Sequence, residues 1–303
     1  MINLTDVTLR DGLQSEAIVL PTAEKANLYQ LLLQCSYSRL EVTSFSHPKW
    51  IPALADSEQF CADVFKNPSA VETESMVFIP NLRGLERSLT YPIRWNSFFS
   101  AATEAFHKKN MNMTRQEGME MLKGLIELAH KNKRKCRVYV STSFGCPYEG
   151  EVSEKQAMTV IDQVVKLQPD EIALSDTIGV ASPKKVKSLC QLTAAQFPVS
   201  QIALHVHNTY GLALANIAAA LEVGITQFDG SSGGLGGCPY ARGASGNIPT
   251  EEIAFFLQRQ GVAVHVNWAA IQTVLAKLSS LGFSLQSHLG EVLKKGGVLY
   301  GIS

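Results

Sequence analysis

The chain has 303 residues, 46% of them apolar and 18% charged, with 27 Lys plus Arg against 27 Asp plus Glu. That apolar content suits one large core or two modest ones and excludes a disordered chain. The balanced charge, without long single-sign blocks, offers no basic face to nucleic acid or an anionic membrane. The opening MINLTDVTLRDG enters a strand pattern at once, which argues against a cleaved leader, and no apolar run approaches the roughly 18 residues of a membrane span. Six cysteines, at 35, 61, 136, 146, 190 and 238, lack the short paired spacings of zinc sites or redox dithiols and fit a reduced cytoplasmic setting.

Along the chain, short apolar segments alternate with helix-length amphipathic ones. Strands are predicted at residues 3–9, 39–43, 75–79, 95–99, 137–141, 171–175, 202–207 and 226–229. Between them, Leu28, Leu31, Leu32 and Cys35 recur at helical spacing, as do Met119, Leu122, Ile126 and Ala129. Ser153 with Gln156 reads as a capping box, Pro183 after Ser182 as a first-turn proline, and Thr250-Glu251-Glu252 as a capped helix start. Eight strand-helix units, with strands too apolar to expose one face, predict an α/β fold: a (β/α)8 TIM barrel rather than an open sheet. We expect one catalytic domain, with the barrel over about residues 1–250 and extra C-terminal helices over about 251–303.

Active sites of such barrels lie at the C-terminal ends of the strands, and four polar clusters fall there. They are Arg10-Asp11 after the first strand, Glu41 in the second, Asp176 ending the sixth, and His205 with His207 at the end of the seventh. Residues two apart on a strand project to the same face, so both imidazoles enter one space while Val206 points away. Two imidazoles with a carboxylate make a divalent-metal site, which Asp11 and the amide oxygen of Asn247 complete. The oxygen-rich half favours Mg²⁺ or Mn²⁺ over Zn²⁺. Asn247 ends the run GGLGGCPYARGASGN, residues 233–247, where six glycines surround Cys238. Such a run marks a loop that approaches or closes over a ligand. Simpler roles stand beside these: Arg10 as the ion-pair partner of Asp11 or Glu41, Glu41 as a support rather than a reactant, Asp176 as a helix cap, and Cys238 as a structural thiol. Cys35 and Cys190 fall on apolar helix faces and read as small hydrophobes.

TLRDG, HVHNTYG and above all GGLGGCPYARGASGN resemble the DRE-TIM metallolyase superfamily, the last run its hydroxymethylglutaryl-CoA lyase branch. EVTSFSHPKWIPAL, IPNLRGLE, ATEAFHKKN, FGCPYEG and SDTIGVASP extend the likeness up to about Glu252, whereas TLRDG is shared with isopropylmalate and homocitrate synthases. The resemblance implies a divalent cation on Asp11, His205, His207 and Asn247, Arg10 facing a thioester carbonyl, and Cys238 on a loop over the site as proton donor. Glu41 and Asp176 match positions the family uses in catalysis, and Gln14 and Tyr139 match positions near the substrate. The implied reaction cleaves 3-hydroxy-3-methylglutaryl-CoA, or a related branched 3-hydroxyacyl-CoA, to acetyl-CoA and acetoacetate or the corresponding keto acid. The general base stays open among His205, Asp11 and Asp176. Arg83, Lys108 and Lys109 are candidates for the CoA phosphates, and the expected assembly is a homo-oligomer, a dimer first. Two departures stand out: DVTLRDG replaces the EVGPRDG-like start of the lyase branch, and Asn208 replaces the aspartate of HDTYG, removing a carboxylate beside His207. A condensing synthase using acetyl-CoA and a 2-oxo acid, or a non-catalytic acyl-CoA binder, are the alternative readings. Because synthases append an accessory region that a chain ending at Ser303 would have no room for, we expect the lyase rather than the synthase.

Overall fold

A computed structural model describes residues 1–66, 73–237, 246–297 and 299. Eight parallel strands close into a barrel: β1 (Asn3–Asp6), β2 (Arg39–Ser44), β3 (Glu74–Phe78), β4 (Trp95–Ala101), β5 (Lys135–Ser141), β8 (Glu171–Asp176), β9 (Ile202–Val206) and β10 (Gln227–Gly230). Two short strands, β6 (Gly145–Cys146) and β7 (Gly150–Glu151), pair as a hairpin in the connection after β5. The surrounding helices are α1 (Thr22–Leu33), α2 (Ser57–Val64), α3 (Leu82–Ser88), α4 (Glu104–Met111), α5 (Arg115–Lys131), α6 (Glu154–Val165), α7 (Pro183–Ala194), α8 (Ala213–Leu221) and α9 (Thr250–Arg259). Two more follow, α10 (Trp268–Ser280) and α11 (His288–Lys294). The predicted TIM barrel with C-terminal helices is the observed architecture. Among the described residues no helix is long and apolar enough to cross a membrane.

Strand alternation divides the work of the barrel wall. Leu40, Val42, Val138, Val140, Ile172, Leu174, Ile202, Leu204 and Val206 are buried in the apolar layer that also takes in the helices. Each fully buried side chain of this size contributes about 1.5–3 kcal/mol relative to exposure. The intervening residues face the lumen and are largely polar, Arg39, Glu41, Arg137, Glu171, His205 and Asp229 among them.

Local signals explain most helix starts. Ser153 and Gln156 form the expected capping box of α6, and Ser182 caps α7 ahead of Pro183. Thr250 does not cap α9: Pro249 precedes the helix without a side-chain bond, and the Thr250 hydroxyl donates instead to Asp6 at 2.7 Å. The helix is thereby fastened to β1, in the place expected for the helix of the eighth unit. Next, α10 packs against α1, and α11 against α10 and α9.

The first strand is shorter than its apolar pattern. It stops at Asp6, whose carboxylate accepts the Thr8 N–H at 3.0 Å, and the chain then winds through a single π-turn, Thr8–Gly12. The Gly12 N–H closes that turn on the Val7 carbonyl at 3.0 Å. The seventh strand ends at Val206, and His207 lies one residue beyond, bridged to Asn247.

Candidate active site

A cavity of about 620 Å³ opens at the C-terminal end of the barrel, lined by Arg10, Asp11, Gln14, Tyr139, His205 and His207, with Phe78, Phe99 and Phe106 on its apolar wall. The π-turn after β1 brings Arg10 and Asp11 into it. Such turns recur at functional sites because the extra backbone residue re-aims side chains that a regular helix would turn away.

Arg10 lies between carboxylates and rings. Its Nε donates to Glu41 Oε2 at 2.6 Å, Nη1 bonds Asp11, and the guanidinium rests 5.3 Å from the Phe78 ring centre and 5.5 Å from that of Tyr139. Burial disfavours the guanidinium charge, but Glu41 and Asp11 outweigh it and hold Arg10 above its usual range. Glu41, wholly buried, also accepts the Ser97 hydroxyl and, at 3.2 Å, the Tyr139 hydroxyl. The ion pair considered for Arg10 is thus present with both carboxylates, and Tyr139 joins it through the same oxygen of Glu41 that holds Arg10.

Asp11, His205 and His207 offer ligand atoms within 4.8 Å of one another. Asp11 Oδ2 stands 3.7 Å from His207 Nε2 and accepts from Asn247 Nδ2 at 2.8 Å. That nitrogen also donates to the Leu235 carbonyl at 3.2 Å, so the carboxamide is fixed, yet its Oδ1 is buried and has no hydrogen-bond partner. A buried orphan oxygen beside two imidazoles and a carboxylate is what a cation would satisfy. Charge agrees: Arg10 carries one positive charge against two negative on Glu41 and Asp11, leaving the rim one negative charge. Burial raises Asp11, but Arg10 and then the imidazoles overcome it and keep the carboxyl well below its usual range. The four residues therefore fit a divalent cation. His130, Cys136 and Asp170 form a second close trio, but there Asp170 Oδ2 is taken by the Cys136 N–H at 2.8 Å, and burial pushes the thiol up.

The glycine run reaches the site through its two ends. Gly236 has φ +97°, and a Cβ there would stand 2.6 Å from the Asp11 carbonyl and 2.9 Å from Asn247 Nδ2, while one at Gly246 would stand 2.3 Å from the Gly236 carbonyl. Only glycine permits this stacking of loop on loop. Cys238, between those ends, lies outside the described residues.

Asp176 sits behind the cavity. Its two carboxylate oxygens accept the N–H groups of Val180 at 3.0 Å and Ala181 at 2.9 Å, and its carbonyl accepts the His207 N–H at 3.2 Å. Burial raises its carboxyl despite those donors. It caps no helix, since Ser182 takes that place, but shapes the loop next to His207. Asn208, next to His207 in the chain, accepts the Ala213 N–H at 3.3 Å at the start of α8. Of the phosphate candidates, Lys109 lines the cavity, whereas Arg83 and Lys108 do not.

Sequence reasoning missed Asp229. His205 Nδ1 lies 3.2 Å from its Oδ2, and both its oxygens accept from Arg137 Nη2, at 2.8 and 2.7 Å. The available signal was a charged residue next to Phe228 in the last predicted strand, residues 226–229.

A parallel barrel whose rim gathers a carboxylate, two imidazoles and a carboxamide around a buried guanidinium has the architecture of a metal-assisted barrel enzyme. The HMGL-like family model matches residues 1–277, and the chain belongs to that family. It is 38% identical over 292 residues to Hydroxymethylglutaryl-CoA lyase YngG of Bacillus subtilis, covering 96% of this chain and 94% of the relative. The solved structure of a B. subtilis HMG-CoA lyase superposes with TM-score 0.92 at 38% identity, over 97% of this chain and 98% of that one. An HMG-CoA lyase from Acinetobacter baumannii, solved with coenzyme A and 3-methylmalate, gives TM-score 0.91 at 32% identity over 100% of this chain and 97% of its own.

Proposed function

We propose that the chain acts as a metal-dependent carbon–carbon lyase. Its substrate is 3-hydroxy-3-methylglutaryl-CoA or a closely related branched 3-hydroxyacyl-CoA, cleaved to acetyl-CoA and acetoacetate or the matching keto acid. The supporting observation is the orphan Oδ1 of Asn247 beside Asp11, His205 and His207, within reach of a cavity that also holds Arg10. The coenzyme A bound by the A. baumannii relative supports an acyl-CoA substrate.

The reaction removes a proton from a tertiary hydroxyl while the breaking bond leaves its electrons on a thioester enolate. A divalent cation held by Asp11, His205, His207 and Asn247, Mg²⁺ or Mn²⁺ before Zn²⁺ from the oxygen-rich donors, would supply Lewis acidity worth several kcal/mol. Arg10 meets the developing enolate oxygen with a charge already placed and held by Glu41, so little reorganisation is needed as the bond breaks. Tyr139 and Gln14 line the substrate space, and Glu41 and Asp176 act through the groups they hold. Asp11, or His205 through Nε2 when that nitrogen is not on the cation, takes the hydroxyl proton, and Cys238 returns one to the enolate carbon. We further assign a homodimer in the cytoplasm; the free buried thiols at 35, 61, 136, 146 and 190 suit a reducing compartment.

The test is incubation with Mg²⁺ and HMG-CoA, following acetoacetate by a coupled assay and the mass of the protein by light scattering. Absence of turnover with every branched 3-hydroxyacyl thioester offered sinks the lyase reading.

A further inference from the structure

We propose that Asp229, held by the ion chain that crosses the barrel lumen, is a positioning residue that fixes His205 in its Nδ1–H tautomer and leaves Nε2 as the bare lone pair. The inference rests on the reading of His205 as a site residue and adds to it which nitrogen acts and what sets it.

An ionised carboxylate can only accept, so at 3.2 Å from Asp229 Oδ2 the His205 Nδ1 must carry the proton. Asp229 itself cannot turn away, because both of its oxygens are held by Arg137 Nη2 at 2.8 and 2.7 Å. Arg137 Nε in turn stands 3.1 Å from Glu171 Oε1, and Glu171 receives Arg39 Nη1 at 3.1 and 3.3 Å. Asp229 is on β10, Arg137 on β5, Glu171 on β8 and Arg39 on β2, so one carboxylate is placed by three other strands, β2 lying diametrically across from β8. All four side chains are buried and their charges alternate in sign, so deleting any one leaves an uncompensated buried charge. The Tyr139 ring closes the assembly, with the Arg137 guanidinium 4.7 Å from its centre and the His205 ring meeting it edge-on at 5.6 Å.

Stability alone does not call for this arrangement. Barrel interiors are commonly filled by branched apolar side chains, and replacing a buried ion network by such residues is often neutral or stabilising. The contrast with the neighbouring imidazole is informative, since His207 Nδ1 is buried without any hydrogen-bond partner. One ring is preset and the other is not, and the preset ring is the one the chain reaches.

The experiment uses ¹⁵N-histidine-labelled full-length protein free of metal and substrate, with the His205 signals assigned by their loss in His205→Gln. Imidazole ¹⁵N shifts separate protonated from bare nitrogens. The parent should show Nδ1–H on His205, and an Nε2–H parent overturns the proposal. In Asp229→Asn the amide oxygen remains with Arg137 and the NH₂ faces Nδ1, so His205 should switch to Nε2–H. Mn²⁺ affinity should then fall 10- to 100-fold, as for other groups that orient metal ligands. Asp229→Glu, which keeps the charge, should retain Nδ1–H and bind Mn²⁺ more tightly than Asp229→Asn. If Asp229→Asn does not fold, the parent spectrum and Asp229→Glu still decide, because a switched tautomer in the glutamate variant contradicts a carboxylate-set imidazole. The tautomer is read without turnover. Nδ1–H in an inactive protein would therefore reject the lyase reading and leave this one standing, and Nε2–H in an active one would do the reverse.

Discussion

Glu251 should make stability fall as pH rises, and Glu251→Gln isolates the effect. Its carboxylate is wholly buried in the first turn of α9, where both oxygens accept the Gly233 N–H at 3.2 Å and the Ser287 hydroxyl adds a further bond. Burial outweighs these donors and pushes the group from its ordinary 4.5 up to about 7. Between those values the folded chain keeps a proton that the unfolded chain has released. The folded state therefore binds more protons, and stability declines across that window before levelling off. At about 1.4 kcal/mol per tenfold change in proton affinity, the penalty is about 3 kcal/mol at pH 8 and under about 1 kcal/mol at pH 5. Glutamine keeps the shape and an acceptor for Gly233 but never ionises. Urea unfolding at both pH values should show the variant gaining about 2–3 kcal/mol on the parent between pH 5 and pH 8. Parallel stability curves would mean that the carboxyl is not raised, and the burial argument would be wrong. Asp6, also raised by burial, stays in both proteins and cancels in the comparison.

Arg10→Gln should lower turnover of HMG-CoA by about 10²–10³ while Mn²⁺ affinity changes only a few-fold, because the lost interaction is strongest in the transition state; equal loss of both would recast Arg10 as a support for the cation site. Calorimetry on His207→Ala should show Mn²⁺ binding weakened at least 10-fold, and an unchanged affinity would remove His207 from the donor set. Cys238→Ser should melt within a few degrees of the parent yet turn over slowly, and a parental rate would dismiss the thiol as proton donor.

The barrel was legible because its strands are coded twice. Outward residues such as Val138 and Val140, or Ile172 and Leu174, announce a buried parallel sheet, and turn and capping chemistry at Ser153 and Ser182 marks where strands give way to helices. Where the two codes part, the sequence misleads. Val7 and Leu9 continue the apolar pattern of β1, but the Asp6 carboxylate captures the Thr8 N–H and the backbone leaves the sheet for a π-turn. Thr250 reads as a cap, but its hydroxyl is drawn to Asp6, a partner 244 residues away that no local pattern reveals. The rim residues were visible because a polar side chain ending an apolar strand is conspicuous. Asp229 follows Thr226, Gln227 and a single large apolar residue, Phe228, so it stands out less, and its meaning depends on Arg137 and Glu171 meeting it across the lumen, a pairing set by barrel closure rather than by spacing.

That division follows from how the strands are built. The apolar face that each strand turns toward the helices supplies the burial on which folding depends, so the lumen face is released from that duty and can hold charge. Below the rim the charge is balanced, Arg39 and Arg137 against Glu171 and Asp229, so this part of the lumen adds no net charge beneath the cavity. At the rim the balance is broken by one carboxylate, Asp11, placed where the orphan oxygen of Asn247 and two imidazoles converge. A site that lacked this excess would have no electrostatic reason to draw a cation out of water. A lumen that carried more of it would have to bury unpaired charge at a penalty of several kcal/mol per ion. One uncompensated carboxylate at the edge of a neutral shaft is therefore the arrangement that lets a stable barrel take up a divalent ion at its mouth and nowhere deeper.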